Sequence, residues 1–319
     1  MLLSVVLPCF NEEPVLEETH RRLVNVLNQI DLEREIVYVD DGSTDKTLLL
    51  LQQLQNSDPQ VKVIRLSRNY GHQIAITAGL DNASGDAVVI IDSDLQDPPE
   101  VIKEMVALWQ EGYEVVYGQR TARDGETAFR NWSAKWFSRF LNRLSDPGVP
   151  PDVGDFRLLD RKVVQALNRM PEPDRFLRGM ISWLGFRQVA LPYHREARFA
   201  GVSKYPLGKL LDLAGNGIFS FSLFPSLLLR IAALTGVLGA GLALAGFCYA
   251  LIGHLFSAAR ITGWHLLFLA LLFLGGVQLI CLGLVGEYAS RTYYASKRRP
   301  NYVIAERLGF REQAQPPSR

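Results

Sequence analysis

Asp92-Ser93-Asp94-Leu95-Gln96 carries three oxygen-bearing side chains at alternate positions. Asp92 and Asp94, separated by one small residue, can reach a single hard cation through oxygen ligands. Such a cation keeps open positions for substrate phosphates, so the pattern predicts a nucleotide diphosphate bound through a metal. D-x-D also arises by chance in surface loops, so its setting decides. Here it closes the apolar run Ala87–Ile91, which reads as a buried central strand. Open α/β sheets bind their ligands beyond the carboxyl ends of their strands.

Other polar segments follow predicted strands in the same way. Strands are expected over Ser4–Pro8, Glu35–Val39, Val61–Leu66, Ala87–Ile91 and Glu114–Tyr117. Helices are expected over Glu13–Ile30, Asp45–Leu54, Gln73–Asn82, Pro98–Glu111 and Ala128–Leu144. This alternation predicts a mostly parallel, doubly wound α/β sheet. Pro8-Cys9-Phe10-Asn11-Glu12, Asp40-Asp41-Gly42-Ser43-Thr44-Asp45, Arg68-Asn69-Tyr70-Gly71-His72 and the D-x-D-x-Q segment then share one edge and can converge on one ligand. Helix capping accounts for Ser43, Thr44 and Asp45, but not for two further acids at a strand end. His72 reads as a structural or sugar-pocket contact, because no His/Cys cluster accompanies it. Neither G-x-G-x-x-G nor G-x-x-x-x-G-K-[ST] is present, which argues against a dinucleotide dehydrogenase or a P-loop NTPase.

The 319 residues suffice for one large domain and an appendage. A formal charge of +1 argues against a nucleic-acid partner. Cys9, Cys248 and Cys281 lie in apolar surroundings and suggest no disulfide framework. No basic n-region precedes the first strand, so no signal peptide is expected and the N-terminal part is assigned to the cytosol.

The chain changes character after about residue 223. No Asp, Glu, Lys or Arg occurs between Arg230 and Arg260, nor between Arg260 and Glu287. Each stretch exceeds the roughly 20 residues needed to cross a bilayer core. Lys204, Lys209 and Arg230 precede the first stretch, and Arg291, Lys297, Arg298 and Arg299 follow the second. The positive-inside rule therefore places both ends in the cytosol. The expected organisation is a catalytic domain over 1–200, juxtamembrane amphipathic helices over 201–229, a two-helix transmembrane hairpin over 230–289 and a cytosolic tail over 290–319. Residues 120–143 interleave Arg and Lys with Trp and Phe, which suits either an anionic membrane surface or an ordinary surface helix.

V-V-L-P-C-F-N-E-E, V-D-D-G-S-T-D, R-N-Y-G-H-Q, D-S-D-L-Q-D-P-P-E, G-D-F-R-L-L-D-R and G-V-S-K-Y stand in this order. Together they resemble the family 2 glycosyltransferases of GT-A fold, and more narrowly the polyisoprenyl-phosphate glycosyltransferases. That group includes dolichol-phosphate mannose synthase-like enzymes and bactoprenol glucosyltransferases of the GtrB type. The resemblance implies a GT-A, Rossmann-like catalytic domain followed by interfacial helices and two transmembrane helices. It implies that Pro8, Phe10, Glu12, Val39 and Asp41 line the base and ribose pocket, with Phe10 where the family often has Tyr. Asp92, Ser93 and Asp94 would hold the diphosphate and the Mg2+ or Mn2+ ion, with Gln96 as a ligand. Arg120 would contact the diphosphate or the lipid phosphate, and Arg198 and Lys204 would close over the phosphates. Asp155 would be the catalytic-site acid, orienting the sugar or acting formally as base, with Arg157 balancing its charge.

The implied reaction is inverting transfer of a hexose, with glucose from UDP-glucose as the first choice, to a polyisoprenyl (undecaprenyl) phosphate. It would run at the cytosolic face of a bacterial inner membrane. GDP-mannose, UDP-GlcNAc and UDP-aminoarabinose are alternative donors. A non-catalytic membrane scaffold or translocator is the rival outside enzymes. A homo-oligomer, up to a tetramer, is compatible with the resemblance.

Overall fold

Short apolar runs supply the strands, and amphipathic runs supply the helices that cover them. In the computed structural model, residues 1–121, 153–172, 175–195, 263–297 and 299–310 are described. The expected helix at 128–144, Arg198, Lys204, the juxtamembrane segment and the first apolar stretch lie outside the described residues.

Eight strands form one sheet: β1 (Leu2–Cys9), β2 (Glu33–Asp40), β3 (Val61–Leu66), β4 (Ala87–Ile90), β5 (Val115–Arg120), β6 (Val153–Asp160), β7 (Gln188–Tyr193) and β8 (Ile304–Leu308). Their order is β7-β5-β6-β4-β1-β2-β3-β8. Strands β3, β2, β1 and β4 are mutually parallel, as is the β5–β7 pair. Strand β6 runs antiparallel between β4 and β5, and β8 runs antiparallel along β3. The result is the expected mostly parallel α/β sheet. Strands β6, β7 and β8 go beyond the sequence expectation. In β6, Asp155 and Arg157 interrupt the apolar run that marks a buried strand. Strand β8 lies in a segment read only as a tail, and it covers the edge of β3 that would otherwise expose unpaired backbone groups.

Helices α1 (Leu16–Leu27), α2 (Thr47–Ser57), α3 (His72–Asn82), α4 (Ile102–Gln110), α5 (Arg161–Asn168) and α6 (Leu177–Trp183) pack around the sheet. In α1 the buried positions Leu16, Thr19, Leu23, Val26 and Leu27 recur at three- and four-residue spacing, the mark of one apolar stripe. Leu16, Leu23, Val26 and Leu27 meet Leu3, Val5 and Leu7 of β1 and Ile36 and Tyr38 of β2 in a common core. Helix α3 covers the opposite face of β1 and β2. Helices on both faces leave the loop-bearing strand ends as the accessible edge of the sheet.

The chain divides into two compact units, Met1–Gly217 with Pro300–Arg319, and Ile218–Arg299. The described part of the second unit is α7 (Gly263–Ser296), which contains the second apolar stretch. Over Phe273–Ser290 its mean hydropathy is 1.4, so it is long and apolar enough to cross a membrane.

Candidate active site

The loop after β4 presents its polar groups by strict alternation. Ile91, Ser93, Leu95 and Asp97 are buried, whereas Asp92, Asp94 and Gln96 are half-buried. The three predicted metal ligands therefore share the accessible side. Ser93 faces inward: its Oγ donates to the Pro8 carbonyl at 3.1 Å, and its own carbonyl accepts from Thr19 Oγ1 at 2.8 Å. Asp94 Oδ1 accepts from the Gln96 N–H at 3.1 Å. Leu95 sits in the left-handed region at φ 57°, a conformation costing an L residue about 1–2 kcal/mol. Burial of its side chain holds it there. Strain of this kind collects where a loop must aim functional groups.

Opposite this loop stands Asp155, only 7% exposed. Strand β6 pairs Arg157 with Ile90 of β4 in antiparallel register, so Asp155 comes level with Asp92. His72, the first residue of α3, lies between the two acids, with Nε2 3.4 Å from Asp92 Oδ1 and 3.3 Å from Asp155 Oδ2. Arg178 of α6 grips Asp155 with two hydrogen bonds, Nε to Oδ1 at 2.8 Å and Nη2 to Oδ2 at 3.0 Å. Gln73 donates to Asp155 Oδ2 at 3.0 Å and accepts from the Leu177 N–H at 3.2 Å, tying α3 to the start of α6.

The electrostatics follow from this packing. Burial raises Asp155, but Arg178 and His72 overcome it and hold the carboxyl well below the usual range. Burial lowers His72, but Asp92 and Asp155 outweigh that and push the imidazole up to about 9. Burial, aided by repulsion from Asp97, Asp155 and Asp94, lifts Asp92 to about 6 against the pull of His72. Asp155 is thus a committed anion with its lone pairs directed at protein donors, a poor arrangement for a general base. Arg157 is buried and donates to the Gly154 carbonyl at 2.9 Å, with burial lowering its guanidinium to about 10.

The first three loops interlock. Asn11 donates its N–H to Ser43 Oγ at 3.0 Å, its side chain accepts from the Thr44 N–H at 2.8 Å, and the Glu12 N–H reaches Thr47 Oγ1 at 2.8 Å. Asp41 is buried, and its two oxygens accept the Tyr70 and Gly71 N–H groups at 2.7 and 2.9 Å. Burial raises Asp41 despite those bonds. Gly42 stands at φ 71°, and a Cβ there would lie 2.7 Å from the Arg68 carbonyl carbon. Only glycine meets both demands.

The structure brings Asp92, Asp94, Gln96, Asp155, Arg157 and Arg120 to one edge, with Phe10 and Glu12 half-buried in the neighbouring loop. It does not bring the Val39 side chain there: Val39 is fully buried beneath Gly79 of α3. Pro8 and Ser93 serve the edge by pinning its loops to each other. His72, expected as a structural or sugar-pocket contact, stands between Asp92 and Asp155, and Gln73, Arg178 and Asp97 complete the site beyond the residues expected from sequence. Position at a helix start beside Gly71 signals His72 and Gln73; nothing local signals Arg178.

Oxygen donors on the accessible side suit a hard cation. Asp92 Oδ1 is buried and makes no hydrogen bond, with His72 Nε2 as its charged neighbour at 3.4 Å. Among the described residues no group of three or more His, Cys, Asp or Glu gathers as a metal cage. A site completed by substrate phosphates needs none.

Residues 4–167 match the family model described as glycosyl transferase family 2. The uncharacterized glycosyltransferase YkcC of Bacillus subtilis is 46% identical over 310 residues, covering 96% of this chain and 94% of that protein. The bactoprenol glucosyl transferase of Shigella phage SfV is 40% identical over 304 residues, covering 95% and 98%. Glucosyl-3-phosphoglycerate synthase from Mycobacterium tuberculosis, solved with Mn2+ and UDP, aligns at TM-score 0.46 and 22% identity over 68% of this chain and 77% of that one. The chain belongs to glycosyltransferase family 2 and is a glycosyltransferase, its mostly parallel α/β domain being GT-A-like.

Proposed function

We infer that the protein transfers glucose from UDP-glucose to a polyisoprenyl phosphate, undecaprenyl phosphate first, with inversion, at the cytosolic membrane face. The observation that carries the reaction type is the row Asp92, Asp94 and Gln96 facing Asp155 across the carboxyl edge of the sheet. Likeness to bactoprenol glucosyl transferases over nearly the whole chain supports the sugar and the acceptor.

Asp92, Asp94 and Gln96 would hold Mg2+ or Mn2+, which when bound neutralises charge on the leaving diphosphate. The acceptor phosphate oxygen is already anionic near neutral pH. It attacks the anomeric carbon, the bond to the diphosphate oxygen breaks, and its electron pair leaves with UDP. No proton need be removed, in keeping with an Asp155 held as an anion by Arg178 and Gln73. Asp155 instead keeps Arg178 and His72 in place around the sugar. Arg120, with Arg198 and Lys204 from the following segment, offsets the repulsion between two anionic substrates. Lys, Arg and aromatic residues outside the described part, with α7, would attach the domain to the bilayer.

The test is labelled-sugar transfer by purified full-length protein in detergent. Undecaprenyl phosphate is supplied with Mg2+ or Mn2+ and a panel of UDP- and GDP-sugars, alongside Asp94→Ala. A glucolipid formed from UDP-glucose alone, and lost with chelator and in Asp94→Ala, is the expected result. A product from another donor overturns the sugar, and nucleotide binding without any lipid product overturns the reaction.

A further inference from the structure

We propose that Asp97 is a positioning residue that gathers Arg120 and Arg195 into a paired-arginine subsite for a substrate phosphate, beside the Asp92–Gln96 loop. This rests on the reaction above, with its two anionic substrates, and adds a part of the site that the reaction does not by itself require.

Asp97 follows Gln96 directly and is 1% exposed. Its Oδ1 accepts from the Tyr193 hydroxyl, lies 3.3 Å from Arg195 Nε and 3.9 Å from Arg120 Nη2. Arg120 Nε also donates to the Tyr193 hydroxyl oxygen at 3.4 Å. The sheet produces this meeting. Strands β5 and β7 run parallel with Arg120 level with Tyr193, so the two chains reach the edge together, and Arg195 follows two residues on. Thr121 locks the ends, its N–H and its Oγ1 both donating to the Tyr193 carbonyl at 3.1 Å.

Charge and exposure point the cluster toward an anion. A buried carboxylate requires a cation, and one guanidinium would satisfy it. Asp97 has two, so the group carries an excess of one positive charge. The acid side chain is wholly enclosed, whereas Arg120 and Arg195 are 17% and 27% exposed. The cations therefore reach the surface and the anion does not. Guanidinium forks match phosphate oxygens in planar, two-point geometry. A Cβ on Gly154 would lie 2.6 Å from Arg120 Nη2, so the bare backbone next to Asp155 gives this guanidinium its seat. The subsite thus lies between the metal-binding loop and Asp155, within reach of a phosphate at the reacting centre.

The donor diphosphate and the acceptor phosphate share this chemistry, and binding measurements separate them. UDP with Mn2+ and farnesyl phosphate are the two probes, titrated against full-length protein in detergent by tryptophan fluorescence. Asp97→Asn keeps shape and removes charge; Arg195→Gln removes one cation at a partly exposed site and guards against misfolding of the first variant. We expect at least about tenfold weaker binding of one or both probes in each variant, with Arg195→Gln still fully folded at the assay temperature. The probe that weakens names the phosphate. Binding of both probes within about twofold of wild type in Arg195→Gln, or losses that only track a lost folded fraction, overturns the proposal. Binding is read without turnover, so an inactive wild type would count against the proposed reaction and not against this subsite.

Discussion

Replacing Arg178 with Met leaves Asp155 charged, enclosed and without its main partner. The guanidinium supplies two of the hydrogen bonds to a carboxylate only 7% exposed, and its own side chain is 29% exposed. Removing one member of a buried ion pair typically costs 3–5 kcal/mol, because the other is left uncompensated. His72 and Gln73 still face Asp155, and Arg178 is partly solvated, so the lower end applies, about 3 kcal/mol. For a domain of this size that is a fall of about 6–12 °C in thermal midpoint. The assay is thermal unfolding of full-length protein in detergent, with Asp155→Asn and the double variant completing a cycle. Removing both charges eliminates the orphan, so the double variant should be more stable than the sum of the single losses by about 1–3 kcal/mol. A loss below about 0.5 kcal/mol for Arg178→Met, the range of exposed surface pairs, or strict additivity in the cycle, would refute the reasoning.

Three further outcomes are expected. Asp92→Ala should cut transfer by about a hundredfold or more while leaving the fold intact, measured as initial rate at saturating metal; undiminished turnover would remove Asp92 from the metal set. Gly42→Val should lower the thermal midpoint by several degrees, since φ 71° costs an L residue about 1–2 kcal/mol before the contact with Arg68 is counted. Glu35 is buried and bonded to Ser4, Lys62 and the Ser84 N–H; burial raises its carboxyl, but those bonds overcome it and leave it below 4.5. A depressed carboxyl binds fewer protons folded than unfolded, so its stabilisation exists above pH 4.5 and is lost as pH falls through the depressed value. Lys62→Met should therefore be destabilising at pH 7 and converge on wild type as pH falls progressively below 4.5, measured by urea unfolding; a gap that does not narrow would reject the pairing.

Much of the central sheet is legible in the chain because its chemistry is local. Ala87–Ile90 is apolar without interruption, as a strand covered on both faces must be. The period of two that buries Ser93 and Leu95 sets Asp92, Asp94 and Gln96 outward without help from distant residues. Val39 belongs to the same run as Asp40 and Asp41, and only the seating of α3 shows that its side chain turns into the core. Strand β6 escapes a local reading because Asp155 and Arg157 look like loop residues until β4 and β5 close on either side.

By itself, then, the sequence determined the alternating α/β order, the row of candidate metal ligands, the apolar stretch now in α7 and the motif order of a glycosyltransferase. Only the tertiary structure decided which groups meet. Gln73 reaches Asp155 across 82 residues, Arg178 across 23, and Tyr193 reaches Asp97 across 96. None of these contacts has a period or spacing to announce it. Each exists because an antiparallel strand entered a parallel sheet and because two parallel strands ended level. Side-chain identity sets what a residue can do, but the register of distant strands sets what it does it to.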